Sequence, residues 1–267
     1  MMRKTGKYIG VLLLVFFTVI AYAGKKEGFD FIENKGQWEN DIRFRAAIPD
    51  GILDITDKGF AYHYMAREDR ERIEELKEKG LPADSEKVRL HNYRVRFEGG
   101  RETVRYSQKQ RRNHYINYFF GKDPAQWKGN IGLYGRVVQH EVYEGIDVAV
   151  YSKEHSLKYD FVIAPGADPR KIRLRFEGVL PQLTAAGTLF IKTSVNEITE
   201  QAPYAYQQIN GKTIPVKCHF KLTKDLLSFE LPEGYNTAYP LVIDPELIFT
   251  TFSGAGDFFA GYYSFCT

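Results

Sequence analysis

Cysteine is nearly absent: Cys218 and Cys266 are the only two in 267 residues. At most one disulfide can form; export would permit it, but Cys266 is next to last in the chain, and pairing is not expected. Cys218 falls in the apolar alternation Val216, Cys218, Phe220, Leu222 and reads as a small buried hydrophobe. Net charge is also missing from the body. The formal charge of +3 comes from Arg3, Lys4 and Lys7; past residue 23 the chain carries 34 basic and 34 acidic side chains. That balance argues against a nucleic-acid partner, which usually demands a net basic surface. No apolar run reaches the roughly 20 residues that span a bilayer as a helix. Absent too are H-E-x-x-H, G-x-S-x-G, a phosphate-binding Gly-rich loop and a paired C-x-x-C. The six histidines stand apart, none at i,i+2 or i,i+4 from another, so no zinc site is local in sequence. No cofactor is implied and no reaction is disclosed.

What is present begins with the first 23 residues. Arg3, Lys4 and Lys7 precede an apolar stretch from Tyr8 to Ile20, and Ala21-Tyr22-Ala23 follows as a small-x-small site. This is the pattern of a secretory signal peptide, with Gly24 as the first mature residue. The expected product is secreted or displayed at the cell surface, with no membrane span once the signal is removed.

The body from 25 to 246 reads as short strands. Period-2 alternation appears at Ile42–Ala46, Tyr93–Phe97 and Ile172–Phe176. Further strands are expected at 59–65, 113–120, 133–139, 146–151, 157–163, 188–192, 203–209, 214–222, 226–231 and 240–243. Turn signals separate them at Pro49-Asp50-Gly51, Asp57-Lys58-Gly59, Pro165-Gly166-Ala167-Asp168-Pro169 and Asn210-Gly211. The expected fold class is all-β, an antiparallel sandwich-type body. Residues 67–79 (REDRERIEELKEK) break the pattern. They predict one exposed charged helix, supported by Arg70–Glu74 and Glu75–Lys79 pairs but with only Ile73 and Leu76 as apolar anchors. The segments 93–99 and 172–178 echo one another, which fits either two similar sheet-rich halves or two strands that look alike.

Candidate site residues are few. Asp147, Asp160 and Asp168 are the acids whose clustering could hold calcium or supply the two carboxylates of glycoside hydrolysis. Each also has a structural reading: Asp168 precedes Pro169 as a turn former, and Asp147 follows Gly145-Ile146 where Asp often binds its own backbone. Of the 18 Tyr, 19 Phe and 2 Trp, most are expected in packing, although exposed rings could stack on sugars. Trp38, Trp127, Gly145, Gly166 and Pro169 are expected to be structural, the two Trp rings capping sheet ends.

Several segments, taken in order, resemble a known family: Glu33-Asn34-Lys35-Gly36-Gln37-Trp38, Asn117–Pro124, Tyr143–Asp147, Leu157–Pro169 with Arg175–Gly178, and Pro240–Pro245. The set resembles the N-terminal domain of unknown function that precedes SBBP (beta-propeller) repeats in large secreted bacterial proteins. The resemblance implies a β-rich extracellular domain, often in proteins exported by gliding-associated (type IX) secretion, and it carries no established catalytic residues. Residues 247–267 look like the start of a first propeller repeat, and the chain stops at Thr267. It is read as a piece of a longer protein or as a domain acting alone. The function expected is a non-enzymatic structural or adhesion-associated module, partnered by extracellular glycan or other surface proteins. The alternative is a carbohydrate-binding module or glycan-acting enzyme.

Overall fold

The computed structural model describes residues 28–83, 86–119, 123–153 and 156–248. The expected signal segment and the stretch from 249 onward lie outside the described residues. In chain order the strands are β1 (Phe31–Glu33), β2 (Ile42–Ile48), β3 (Gly51–Thr56) and β4 (Gly59–Met65), then helix α1 (Arg67–Glu78). Next come β5 (Leu90–Phe97), β6 (Arg105–Tyr118), β7 (Lys128–Tyr143), β8 (Ile146–Lys153) and β9 (Ser156–Ile163). The last part holds β10 (Leu174–Glu177), β11 (Gln182–Leu183), β12 (Leu189–Lys192), β13 (Glu197–Glu200), β14 (Tyr204–Ile209) and β15 (Lys212–Val216). It closes with β16 (His219–Thr223), β17 (Leu226–Glu230), β18 (Leu241–Asp244) and β19 (Glu246–Ile248).

The all-β, antiparallel class is what the chain adopts. Its strands are not divided into two sheets by their pairing. They form one hydrogen-bonded network that runs β16-β17-β10-β5-β4-β3-β2-β1-β7-β8-β9-β19-β13-β12-β11. Its ends, β11 and β16, come close together, so the sheet nearly closes. Two strands make the turn of the sheet possible. β7 pairs with β1 at Leu133 and Tyr134, and with β8 from Arg136 onward, so its partner switches at Gly135. β9 lies beside β18 at Phe161–Ile163 and beside β19 at Leu157–Lys158. Pro245 falls at the second switch, where a residue without an N–H cannot continue the ladder. Leu247, grouped by sequence pattern with the trailing segment, is buried in β19.

The alternation seen in sequence sets the core. Ile42, Phe44, Ala46 and Ile48 of β2 are buried, with Arg43 exposed between them. The main core gathers such inward faces from nearly every strand, and a smaller one collects Ile32, Ile116, Tyr118, Ile131 and Leu133. The two echoing segments turn out to be neighbours: β5 and β10 pair with Leu174 opposite Phe97 and Phe176 opposite Val95. Their likeness is that of two adjacent strands burying the same face. The single strand expected over 214–222 is two, β15 and β16, with buried Cys218 in the break between them, where burial pushes its thiol up to about 12.

Helix α1 forms as expected, with Arg70–Glu74 at 3.0 Å and a Glu75–Lys79 pair. Its anchor is charge rather than an apolar stripe. Only Asp69 and Arg70 are buried. Asp50 at the β2–β3 turn accepts Arg67 at 2.6 Å and Arg70 at 3.1 Å. Asp69 accepts the backbone N–H of Arg89 at 2.8 Å and its guanidinium at 2.9 Å.

Candidate functional site

In the β8–β9 hairpin Ile146, Val148 and Val150 face the core together with Leu157, Tyr159, Phe161 and Ile163. Side chains alternate along a strand, so Asp147, Ala149, Tyr151, Lys158, Asp160 and Val162 share the opposite face. The register sets Asp147 against Val162 and Asp160 against Ala149. Two of the three candidate acids therefore stand on one face, one diagonal apart. Asp168 is elsewhere, in the loop after β9.

Asp160 is buried on that outer face. Its Oδ1 accepts the Tyr151 hydroxyl at 3.1 Å, and Oδ2 lies 3.6 Å from Arg136, whose guanidinium covers the Tyr151 ring at 4.4 Å. Burial, followed by the nearby Asp244 carboxylate, raises its pKa above the usual range. Lys158 donates to both Asp244 oxygens, at 2.9 and 2.8 Å, and lies 3.5 Å from Glu246. Burial pulls the Lys158 pKa down, but its bonds to Asp244 and the Glu246 charge outweigh it, and the net movement is upward. Two cations and three carboxylates thus gather across β7, β9, β18 and β19, with Asp160 and Asp244 side by side between Arg136 and Lys158. A buried cluster of this kind holds strands in register; its charges are engaged by one another.

Asp147 is built into a different device. Between Gln139 and Tyr143 the β7–β8 register slips, and Glu141 takes a left-handed φ of 52°. This bulge brings His140 Nδ1 within 2.9 Å of Asp147 Oδ2, while Oδ1 accepts the Glu141 N–H at 2.7 Å. The other ring nitrogen, Nε2, is 2.8 Å from Ser107 Oγ on β6. With the proton on Nδ1 directed at Asp147, Nε2 accepts from the serine hydroxyl. Serine, histidine and aspartate are then in the order that activates a hydroxyl nucleophile. Neither Ser107 nor His140 was a candidate from sequence.

Asp168 caps the 3-10 turn at Pro169–Lys171. It accepts the Arg170 N–H at 3.0 Å and the Arg170 guanidinium at 2.9 and 3.0 Å, and that partner lowers its pKa. It borders a groove of about 960 Å³ with Arg173, Phe229 and Tyr235. Among the described residues no three metal-ligating side chains gather, and Asp147, Asp160 and Asp168 do not form one site. A second groove, of about 780 Å³, lies on the outer face of β2–β5. There Asp54 takes a two-pronged bond from Arg45 at 2.6 and 2.8 Å and faces His63 Nε2 at 3.2 Å. Burial would raise the Asp54 pKa, but Arg45 and His63 together hold it below the usual range.

The positions expected to be structural divide. Gly145 has φ 70°, and a Cβ there would lie 2.8 Å from the Ala167 Cβ, so the hairpin turn needs glycine. Trp38 is half-buried, edge-on to Tyr118 at 5.5 Å and under the Arg45 guanidinium at 4.6 Å. Trp127 is the more exposed of the two. It is 41% exposed and meets Phe119, itself exposed, edge-on at 5.2 Å.

An all-β domain of one nearly closed antiparallel sheet, with an ion-paired outer face, is thus the class defined. The chain belongs to the family described as Domain of unknown function (DUF7948), which matches residues 31–246. No curated protein and no solved structure matches it. No helix among the described residues is long and apolar enough to cross a membrane.

Proposed function

We propose that this domain is a non-enzymatic, extracellular structural module of a cell-surface or secreted protein, associated with adhesion and positioned ahead of SBBP-type propeller repeats in a type IX-exported chain. The reading takes the curled sheet as a sandwich-type body in which β7 is shared by two layers. The observation that carries the module reading is the engagement of each candidate acid by a partner that holds the fold: Asp147 by Glu141 N–H and His140, Asp160 by Tyr151 and Arg136, Asp168 by Arg170. Export is supported by the charged n-region, apolar stretch and Ala21-Tyr22-Ala23 site. Two measurements test it. Mass spectrometry of the exported protein is expected to find an N-terminus at Gly24; Met1 retained in a membrane fraction would overturn export. Thermal melting is expected to be unmoved by calcium; a gain of several degrees, abolished in Asp160→Asn, would replace the structural role of the acids with a metal site.

A second reading, a glycan-acting enzyme, is favoured by the Ser107–His140–Asp147 chain. It would cleave an ester: Ser107 Oγ adds to the carbonyl, its proton passes to His140 Nε2 and on to the leaving alcohol, and water then releases the acyl group. A fluorophosphonate probe decides it. Labelling of Ser107 that is lost in His140→Ala would establish the enzyme reading, and no labelling would remove it.

A further inference from the structure

The strand that carries Ser107 places positive charge on both sides of it. Tyr106 packs on the main core, so the residues that alternate with it, Arg105, Ser107 and Lys109, share the outer face. Each cation stands about 7 Å along the strand from the serine. Both are exposed, and among the described residues neither has a carboxylate within ion-pairing reach. The acids of the adjoining bulge are engaged elsewhere: Asp147 by His140 at 2.9 Å and by the Glu141 N–H, and Glu141 by Arg101 at 3.5 Å. Register adds to the imbalance, because Lys109 lies opposite Arg136 and Arg105 opposite His140. Like charges directly opposite one another on a sheet repel, and an anion set beside them relieves the repulsion. Ser107 is half-buried, and His140 and Asp147 are partly exposed, so the row is reached from solvent.

We propose that Ser107 cleaves esters that carry an anionic group, a carboxylate foremost, with Arg105 and Lys109 as the specificity-determining residues that hold that group beside the carbonyl. The proposal rests on the enzyme reading above and names its substrate class. Two stages of the reaction favour an anion. In binding, two cations without carboxylate partners draw it to the serine. In the chemical step, Ser107 Oγ bonds to the carbonyl carbon and its proton moves to Nε2, so His140 becomes a cation opposite Arg105. Asp147 balances the imidazolium, and the substrate's own charge balances Arg105. The leaving alcohol then takes the proton from Nε2. Water adds its hydroxyl to the acyl carbon and gives its proton to Nε2, and that proton returns to Ser107 as the acid departs. Exposed cations on a strand also discourage unwanted pairing, but a cation at any position serves that end; it does not call for one on each side of the serine.

The test uses the purified protein and two esters of one leaving group, anionic 4-nitrophenyl hemisuccinate and neutral 4-nitrophenyl butyrate. At about 50 mM salt kcat/KM is expected to favour the hemisuccinate by about tenfold. The ratio is expected to fall toward one at about 1 M salt, where the screening length of about 3 Å is shorter than the spacing from serine to cation. Ser107→Ala is expected to abolish turnover of both esters. Arg105→Glu with Lys109→Glu is expected to invert the preference, whereas a merely damaged variant would lose rate on both esters alike. Labelling of Ser107 by the fluorophosphonate probe keeps the two readings apart. Labelling together with equal rates on the two esters, or with a ratio unmoved by the charge reversal, would overturn the specificity and leave the enzyme reading standing. No labelling and no hydrolysis of either ester would remove both.

Discussion

β9 and β6 belong to one four-strand run, β6-β7-β8-β9, yet they are opposites. β9 has strands on both sides and buries seven of its eight residues, polar ones included. Among the described residues β6 has one strand neighbour, and it buries two of its fourteen residues. On β9 even the outward residues Lys158 and Asp160 are locked by partners, so each side chain there is committed to the fold. On β6 the cations Arg105, Lys109 and Arg111 are exposed, with no carboxylate in ion-pairing reach among the described residues. The contrast teaches that density of charge and commitment of charge go together: the crowded ion pairs of β9 hold strands in register, whereas the sparse cations of β6 are solvated.

The contrast can be broken most forcefully at Phe161. Its side chain is fully buried, with Phe97 at 6.4 Å, Tyr159 at 5.9 Å and Phe229 at 5.6 Å between ring centroids. Phe161→Ala is expected to cost about 3–5 kcal/mol in urea unfolding, enough to threaten folding altogether. Lys109→Ala on β6 is expected to fall within about 0.5 kcal/mol of the parent. Comparable losses at the two positions would erase the distinction between the two strands.

The inner face of β9 carries the next largest effect. The Tyr159 hydroxyl donates to Glu200, which is buried among rings, and that burial pushes the Glu200 pKa up to about 7. A folded-state value above the unfolded one means the folded state holds the proton longer. Stability is then greatest below about pH 4.5 and declines as pH rises through about 7. The decline amounts to roughly 3 kcal/mol, from 1.36 kcal/mol per unit. Asp160, also raised, adds in the same direction. Urea midpoints at pH 5 and pH 8 should differ accordingly, and Glu200→Gln should remove most of the difference. A variant with the parent's slope would place its origin elsewhere.

Much of the buried half of this contrast was legible in the amino-acid order. β4 occupies 59–65 as read, and β9 begins one residue before its expected start, because apolar side chains at period 2 are imposed by a core. The first half of β6 was not legible: Arg105–Gln110 has no apolar period, and β7 alone makes it a strand. β3 escaped notice between two strong turn signals. The site was hidden for a related reason. Counting back from the Glu144-Gly145 turn in regular register would set Asp147 against Val142. The bulge at 140–142 puts His140 there instead, and Ser107 arrives from a strand more than thirty residues away. The helix was readable from its own charges, but its anchors, Asp50 and Arg89, lie outside it.

Helix α1 sits between the two extremes, surface-lying like β6 but held by committed charges like β9. Asp50→Asn sharpens this, since Asn tolerates the left-handed φ of 56° at that turn while losing the charge that receives Arg67 and Arg70. The expected result is faster amide exchange across 67–78, with a global loss of about 1–2 kcal/mol. Unchanged exchange would mean that the contacts of Asp69 and Arg72 with residues 86–89 suffice to anchor the helix.

The smallest effect separates the two tryptophans, which the sequence treats alike. Trp38 packs edge-on against Tyr118 over the small core and lies under Arg45, whose guanidinium is held in turn by Asp54. Its removal deletes partly buried area and a cation–π contact, which together support a loss of about 1–2 kcal/mol. Trp127 lies near the β6–β7 tip beside exposed Phe119, so Trp127→Ala is expected to cost under about 0.5 kcal/mol. Thermal melting of the two variants in parallel gives the comparison. Equal losses would show that the hairpin-tip rings hold the fold as firmly as Trp38 does. A clear inequality, with Trp127→Ala at the parent's melting temperature, would assign the two rings different weights in the fold: Trp38 ties the small core to the outer face, whereas Trp127 packs only at the hairpin end.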